Sequence, residues 1–151
     1  MKLEDFVKQP RGPYRFDLYV HPDVVPSPLG EFVVELIAEV GQAPADVMLE
    51  IARALVEQFT DDRDHITGLV FREYERACRM VAAGVPDDAI PRGLSISALG
   101  AYLDVRTLSV SCSPDDEEEP YPARVYLSPR WDSEHGLYFR FFEGEWEKVD
   151  C

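Results

Sequence analysis

The chain has 151 residues, 46% of them hydrophobic and 11% aromatic, with 29 acidic against 15 basic side chains. This length and composition fit one domain with a proper core, expected to span residues 1–151, and they exclude a wholly disordered chain. The net charge of −14 repels the phosphates of nucleic acids and the surfaces of anionic membranes, so we expect neither as a partner. A basic protein partner, or no charged partner at all, suits this charge better.

The first 40 residues predict a pair of strands. Residues 14–20 alternate between apolar and polar side chains, which predicts a strand, and prolines at positions 22, 26 and 28 then predict a turn that ends at Gly30. Residues 31–40 are apolar on both sides and suit either a buried strand or a helix. We favour the strand because β-branched and aromatic residues are common in it.

The middle of the chain predicts two to three helices. Apolar side chains recur at four-residue spacing over residues 47–59, which indicates an amphipathic helix. The acidic run Asp61–Asp64 is expected to end this helix and to cap a second one, which continues to Gly84 and forms an antiparallel hairpin with the first. A shorter third helix is expected after a Ser95 or Ser97 cap.

The remaining residues predict strands. Their alternating and aromatic-rich segments are residues 105–112, 123–128, 137–142 and 146–149, the last following a turn at Gly144. The order of elements predicts an α+β fold with an N-terminal strand pair, a helical middle, and C-terminal antiparallel strands that form one sheet.

The cysteines and the N-terminus both favour the cytoplasm. Cys78, Cys112 and Cys151 are odd in number and far apart, which predicts neither a disulfide framework nor a zinc ribbon. The first residues turn acidic at once and lack the apolar run of a secretory signal, and no apolar stretch approaches the length of a membrane span. We therefore expect a cytoplasmic protein with reduced thiols.

Acidic side chains concentrate near the C-terminus. Five of them are consecutive in a predicted loop between two strands, where we expect them to be solvated, and three more alternate along the last hairpin. They are the candidate contacts for a basic partner: Asp115, Asp116, Glu117, Glu118, Glu119, Glu143, Glu145 and Glu147.

Residues 131–136, here called the signature loop, combine an aromatic ring, two carboxylates, an imidazole and a glycine. Their sequence is Trp131-Asp132-Ser133-Glu134-His135-Gly136. In a structural interpretation, Asp132 accepts backbone N–H groups, His135 fixes the turn, Gly136 supplies a positive φ, and Trp131 buries most of its ring against the helices. Two other interpretations stay open, a partner contact and a metal or acid–base site.

The signature loop also carries a family resemblance. Residues 131–137 resemble the W-D-x-E-H-G-L signature of a bacterial family of unknown function, matching all six fixed residues. Members of that family resemble immunity proteins of polymorphic toxin systems, which are small cytosolic domains that neutralise a cognate toxin. The resemblance implies a protein that acts by binding and not by catalysis.

We therefore expect a non-enzymatic binding protein with no catalytic residues, no bound metal and no cofactor. Its partner would be a cognate toxin, and a basic one, because complementary fields raise the association rate. Two alternatives remain: a small metal-dependent enzyme that uses Asp132, Glu134 and His135, and a structural module.

Overall fold

The protein is built on one seven-stranded sheet whose spatial order equals the chain order. A computed structural model describes residues 1–10, 15–82, 90–132 and 135–150. The strands are β1 (Val7–Lys8), β2 (Phe16–Ser27), β3 (Gly30–Glu39), β4 (Leu103–Ser111), β5 (Ala123–Pro129), β6 (Leu137–Phe142) and β7 (Glu145–Val149). Within the described ranges the helices are α1 (Asp46–Ala82), α2 (Ile96–Gly100) and the 3-10 turn Leu3–Asp5.

The predicted α+β class is wrong, because the fold is mostly β. Strands occur along the whole chain, and the N-terminal strands belong to the same sheet as the C-terminal ones. The sheet is mixed: β3 and β4 are parallel, whereas the other neighbouring pairs are antiparallel. The parallel pair arises because α1 and α2 connect β3 to β4, and a helical crossover returns the chain in the same direction.

The predicted helical hairpin is also wrong, since α1 runs without interruption through Asp61–Asp64. That segment contains no glycine or proline, and an acidic run alone does not stop a helix. Asp62 accepts a hydrogen bond from the Gln58 amide one turn earlier, which supports the helix at the point where we expected its end. The expected cap of the short helix is confirmed, because the Ser95 hydroxyl accepts from the Ala98 N–H of α2.

The strand prediction for residues 31–40 is confirmed by β3. The turn predicted to end at Gly30 is present at residues 28–29, but its predicted start at Pro22 is wrong. Strand β2 continues past Pro22 and Pro26 to Ser27, where its hairpin with β3 closes. A shift of register between Val20 and Val24 interrupts the pairing with β3 around Pro22. A proline has no N–H to donate, so such an irregular stretch accommodates it at little cost.

The hydrophobic core lies between α1 and one face of the sheet. Alternate residues of β3, β4, β5 and β6 point inward, and the largest fully buried side chains include Phe32, Leu36, Phe59, Leu108 and Phe139. Burying each of these side chains contributes about 1.5–3 kcal/mol. Among the described residues no helix covers the other face, here called the outer face, which carries Glu35, Ser109, Arg124, Tyr126, Tyr138 and Arg140.

Polar contacts tie the edge strand β7 to α1. The Trp146 indole N–H donates to Asp62 Oδ2 over 2.8 Å, and Lys148 Nζ lies 3.1 Å from Glu73 Oε2. Both aspartate and glutamate belong to α1, so the last strand is held to the helix at two points. In the described part of the chain, no helix is both long and apolar enough to cross a bilayer.

Candidate functional site

Arg140 joins the two acidic segments that the sequence predicts as partner contacts. Its Nε lies 2.5 Å from Glu147 Oε1 on β7, and its Nη1 lies 3.5 Å from Glu119 Oε2 at the end of the acidic loop. The hydrogen bond that Arg140 donates to Glu147 is the main reason why the pKa of Arg140 is raised. The two segments, separated in sequence, therefore meet on the outer face.

Glu119 is fixed by two arginines. Arg124 Nη1 and Nη2 donate to Glu119 Oε1 and Oε2 over 2.7 and 3.0 Å, a bidentate pair with defined geometry. The hydrogen bond from Arg124 is the main reason why the pKa of the Glu119 carboxyl lies below its usual range, and Arg140 adds a smaller attraction. Glu119 and Glu147 thus support the loop, and their carboxylates are already occupied.

The acidic loop has internal bonds as well. The Asp116 carboxylate accepts from the backbone N–H groups of Glu118 and Glu119 over 3.1 and 3.0 Å. The Ser113 N–H donates to the Pro120 carbonyl over 2.7 Å, which extends the β4–β5 hairpin into the loop. The loop is therefore held at its base and its tip, although we expected only a solvated connection.

The acids that remain free line a cleft of about 810 Å³, here called the acidic cleft. Asp115, Glu117 and Glu118 are exposed there, and no ion pair joins them to any described residue. Glu39 and Phe16 complete the walls, and the Phe16 side chain is 51% exposed. The cleft thus combines free carboxylates with one accessible aromatic ring, which suits a cationic group.

The structure also places Cys112 and the two remaining predicted acidic contacts, Glu143 and Glu145. Cys112 lines the acidic cleft, and burial together with the charge of Glu39 raises the pKa of its thiol, so the thiol stays protonated at neutral pH. Glu143 is exposed in a two-residue turn with Gly144, where both residues have positive φ, and Glu145 is exposed directly after it. All the predicted acidic contacts except Glu119 are therefore exposed.

Asp132 closes the signature loop. Its Oδ1 accepts from the His135 backbone N–H over 3.0 Å and lies 3.3 Å from His135 Nδ1. These are the contacts that the structural interpretation predicts for both residues. Ser133 and Glu134 lie outside the described residues, so the contacts of Glu134 are not known. No group of three or more potential metal ligands occurs within the described ranges.

The reason for Gly136 differs from the one we expected. Its φ is not positive. A Cβ atom at this position would instead lie 2.1 Å from Cε2 of Tyr126, whose ring packs on that of Tyr138 with centroids 4.7 Å apart. Gly136 is thus explained by the close approach of a neighbouring ring and not by backbone conformation.

Trp131 is mostly covered and packs against the core, as expected, although part of its surface stays accessible. It contacts Tyr74 of α1 with ring centroids 5.6 Å apart. The buried tryptophan is Trp146, for which the sequence indicates only a place in the last strand. The roles of Arg124 and Arg140 were not predicted from the sequence. For Arg140 a signal exists, because pairing the last two strands across the Gly144 turn places it opposite Glu147.

The ion pairs of Glu119 predict how stability responds to acid. Because the folded-state pKa of Glu119 is depressed, its contribution is complete above about pH 4.5 and is lost as the pH falls through the lower folded value. We expect Glu119→Gln to lower the melting temperature at pH 7 and to flatten its decline below pH 4.5. Thermal melts from pH 7 to pH 3 test this, with the exposed Glu117→Gln as the control. Parallel melting curves for all three proteins would contradict it.

Comparison with known proteins identifies a family whose function is unknown. A family model described as "Domain of unknown function (DUF6985)" matches residues 12–150. No curated protein matches the chain. No solved structure matches it either.

Proposed function

The chain belongs to the DUF6985 family, a domain of unknown function, and we propose that it is a non-enzymatic cytoplasmic protein that binds and neutralises a basic partner protein. The proposal rests above all on the acidic cleft, where exposed carboxylates stand on a loop that arginines hold in place. The net charge of −14 favours the same class of partner.

The fixed loop makes the acidic cleft suited to tight binding. Glu119, held by Arg124 and Arg140, keeps the neighbouring free acids in one arrangement before a partner arrives. A loop that is ordered in advance loses less conformational entropy on binding than a flexible one. The free carboxylates can then pair with lysine or arginine side chains, and the Phe16 ring can pack on their aliphatic stems.

The resemblance of residues 131–137 to the W-D-x-E-H-G-L signature supports a more specific role. Families with that signature resemble immunity proteins, which occlude a toxin or hold it inactive. Many toxins of this kind act on nucleic acids and need a basic surface to do so. An acidic immunity protein would cover that surface, so we propose a basic toxin domain as the partner.

The association rate tests this proposal. The triple variant Asp115→Asn, Glu117→Gln, Glu118→Gln removes three exposed charges and no contact that supports the fold. We expect its on-rate for the proposed basic toxin domain to fall about three- to tenfold at 10 mM salt, where the Debye length is about 30 Å. At 150 mM salt the difference should shrink. Surface plasmon resonance measures both rates.

The matched control removes the same charge elsewhere. Glu50, Glu57 and Glu75 are exposed on α1, and their replacement by Gln should lower the on-rate by less than the cleft variant does. Equal losses in the two variants would show that only net charge matters. A rate independent of salt, or the absence of binding together with no protection of cells that express the toxin, would overturn the proposed function.

A further inference from the structure

A second cleft lies at the opposite end of the sheet from the acidic cleft. It has a volume of about 430 Å³ and is here called the tryptophan cleft, lined by Arg76, Ala77, Met80, Ile90, Trp131 and Leu137. It adjoins Pro129, which pairs with the first residue of β4, whereas the acidic cleft begins at Cys112 after the end of β4. About 30 Å of strand separates the two clefts.

The walls of the tryptophan cleft are apolar and accessible. Met80 is 65% exposed on α1, although a side chain of its kind is costly to leave in water. Part of the Trp131 surface is accessible, where Tyr74 does not cover the ring. The volume lies within the range of about 300–1,000 Å³ that small-molecule sites occupy.

The charged groups that line the cleft differ in their partners within the described ranges. Lys148 and Glu73 form an ion pair with each other, and Asp132 accepts from His135. Arg76 also lines the cleft, yet no hydrogen bond or ion pair joins it to any residue in the described ranges. An arginine presents a planar fork of donors that matches a carboxylate in two parallel hydrogen bonds.

We propose that the tryptophan cleft binds a small organic anion that has an aromatic or branched apolar body and one carboxylate. The apolar body packs between Trp131 and Met80, and the carboxylate accepts from the Arg76 guanidinium. Trp131 and Asp132 of the signature loop line this cleft together with Leu137 of β6, so the loop would bind the ligand as well as close a turn. The site is separate from the acidic cleft, so the inference stands independently of the proposed function.

The test compares two probes that differ only in charge. These are 2-naphthylacetate and its neutral isostere 2-naphthylacetamide, titrated into the full chain by NMR. We expect the carboxylate to bind about tenfold more tightly than the amide, because it gains one charge-assisted hydrogen-bonded pair with Arg76. Both probes should shift the NMR signal of the Trp131 indole N–H. The Trp146 indole signal serves as an internal reference, because that ring is buried beside Asp62.

Two variants separate the contribution of the charge from that of the apolar wall. Arg76→Gln should abolish the preference for the carboxylate and leave the amide unaffected, whereas Met80→Gln should weaken both probes equally. Arg72→Gln is the matched control, because Arg72 is exposed one turn earlier on α1 and does not line the cleft. Equal affinity of the wild-type chain for both probes, loss of preference in the Arg72 variant, or an unchanged Trp131 signal would overturn the proposal.

Discussion

Replacing Trp146 by alanine is expected to cost about 3–5 kcal/mol of folding free energy, the range for large aromatic residues in cores. The Trp146 indole is only 7% exposed, packs edge-on against Phe141 and donates a hydrogen bond to Asp62 of α1. Its loss would leave a cavity and remove one of the two polar contacts that hold β7 to the helix. Because small domains are stable by only about 5–15 kcal/mol, this change removes a large share.

Urea denaturation of three variants separates the causes. Trp146→Phe retains most of the apolar volume but removes the donor to Asp62, so it should cost less than the alanine variant. Phe142→Ala provides the control on the same hairpin, because Phe142 is 48% exposed and should cost under about 1 kcal/mol. A Trp146→Ala protein within about 1 kcal/mol of wild type would show that β7 is dispensable for folding.

Adding one methyl group at Gly136 is expected to destabilise the fold by about 1–3 kcal/mol, as overpacking does. The new Cβ would lie 2.1 Å from the Tyr126 ring, which must then move away from Tyr138. Because φ at Gly136 is not positive, alanine should meet no backbone strain there, and the cost should come from the ring alone. Thermal and urea denaturation of Gly136→Ala measure it.

A double-mutant cycle tests that explanation. In a Tyr126→Ala background the obstructing ring is absent, so Gly136→Ala should cost less than about 0.5 kcal/mol. If the cost of Gly136→Ala were the same in both backgrounds, the backbone and not Tyr126 would account for the glycine.

Local patterns predicted the elements better than their arrangement. The β-branched and aromatic residues of β3 and the Ser95 cap act through their immediate neighbours in the sequence, and the structure contains both the strand and the cap. The break predicted at Asp61–Asp64 failed because tertiary contacts, such as the Trp146 bond to Asp62, use those acids within a continuous helix. The turn predicted at Pro22 failed because an irregular register can absorb a proline within a strand.

The candidate site could be predicted only in part for a similar reason. Exposure of the acidic loop is visible in its composition, since five consecutive acids cannot all be buried. Which of them is free depends on Arg124 and Arg140, and these reach Glu119 only when β5 and β6 lie side by side. The tryptophan cleft likewise combines α1 with residues of the last three strands and the signature loop, which are distant from α1 in the sequence.

The agreement between chain order and strand order has a consequence for how the protein folds. Every neighbouring pair of strands is consecutive in sequence. Five of the six pairs are antiparallel and can form from residues that are close in the chain. Only β3 and β4 must find each other across residues 40–102. The entropy of closing that long loop grows only logarithmically with its length, but it has to be overcome before the contacts form. Association of β1–β3 with β4–β7 across α1 is therefore the step expected to limit the folding rate.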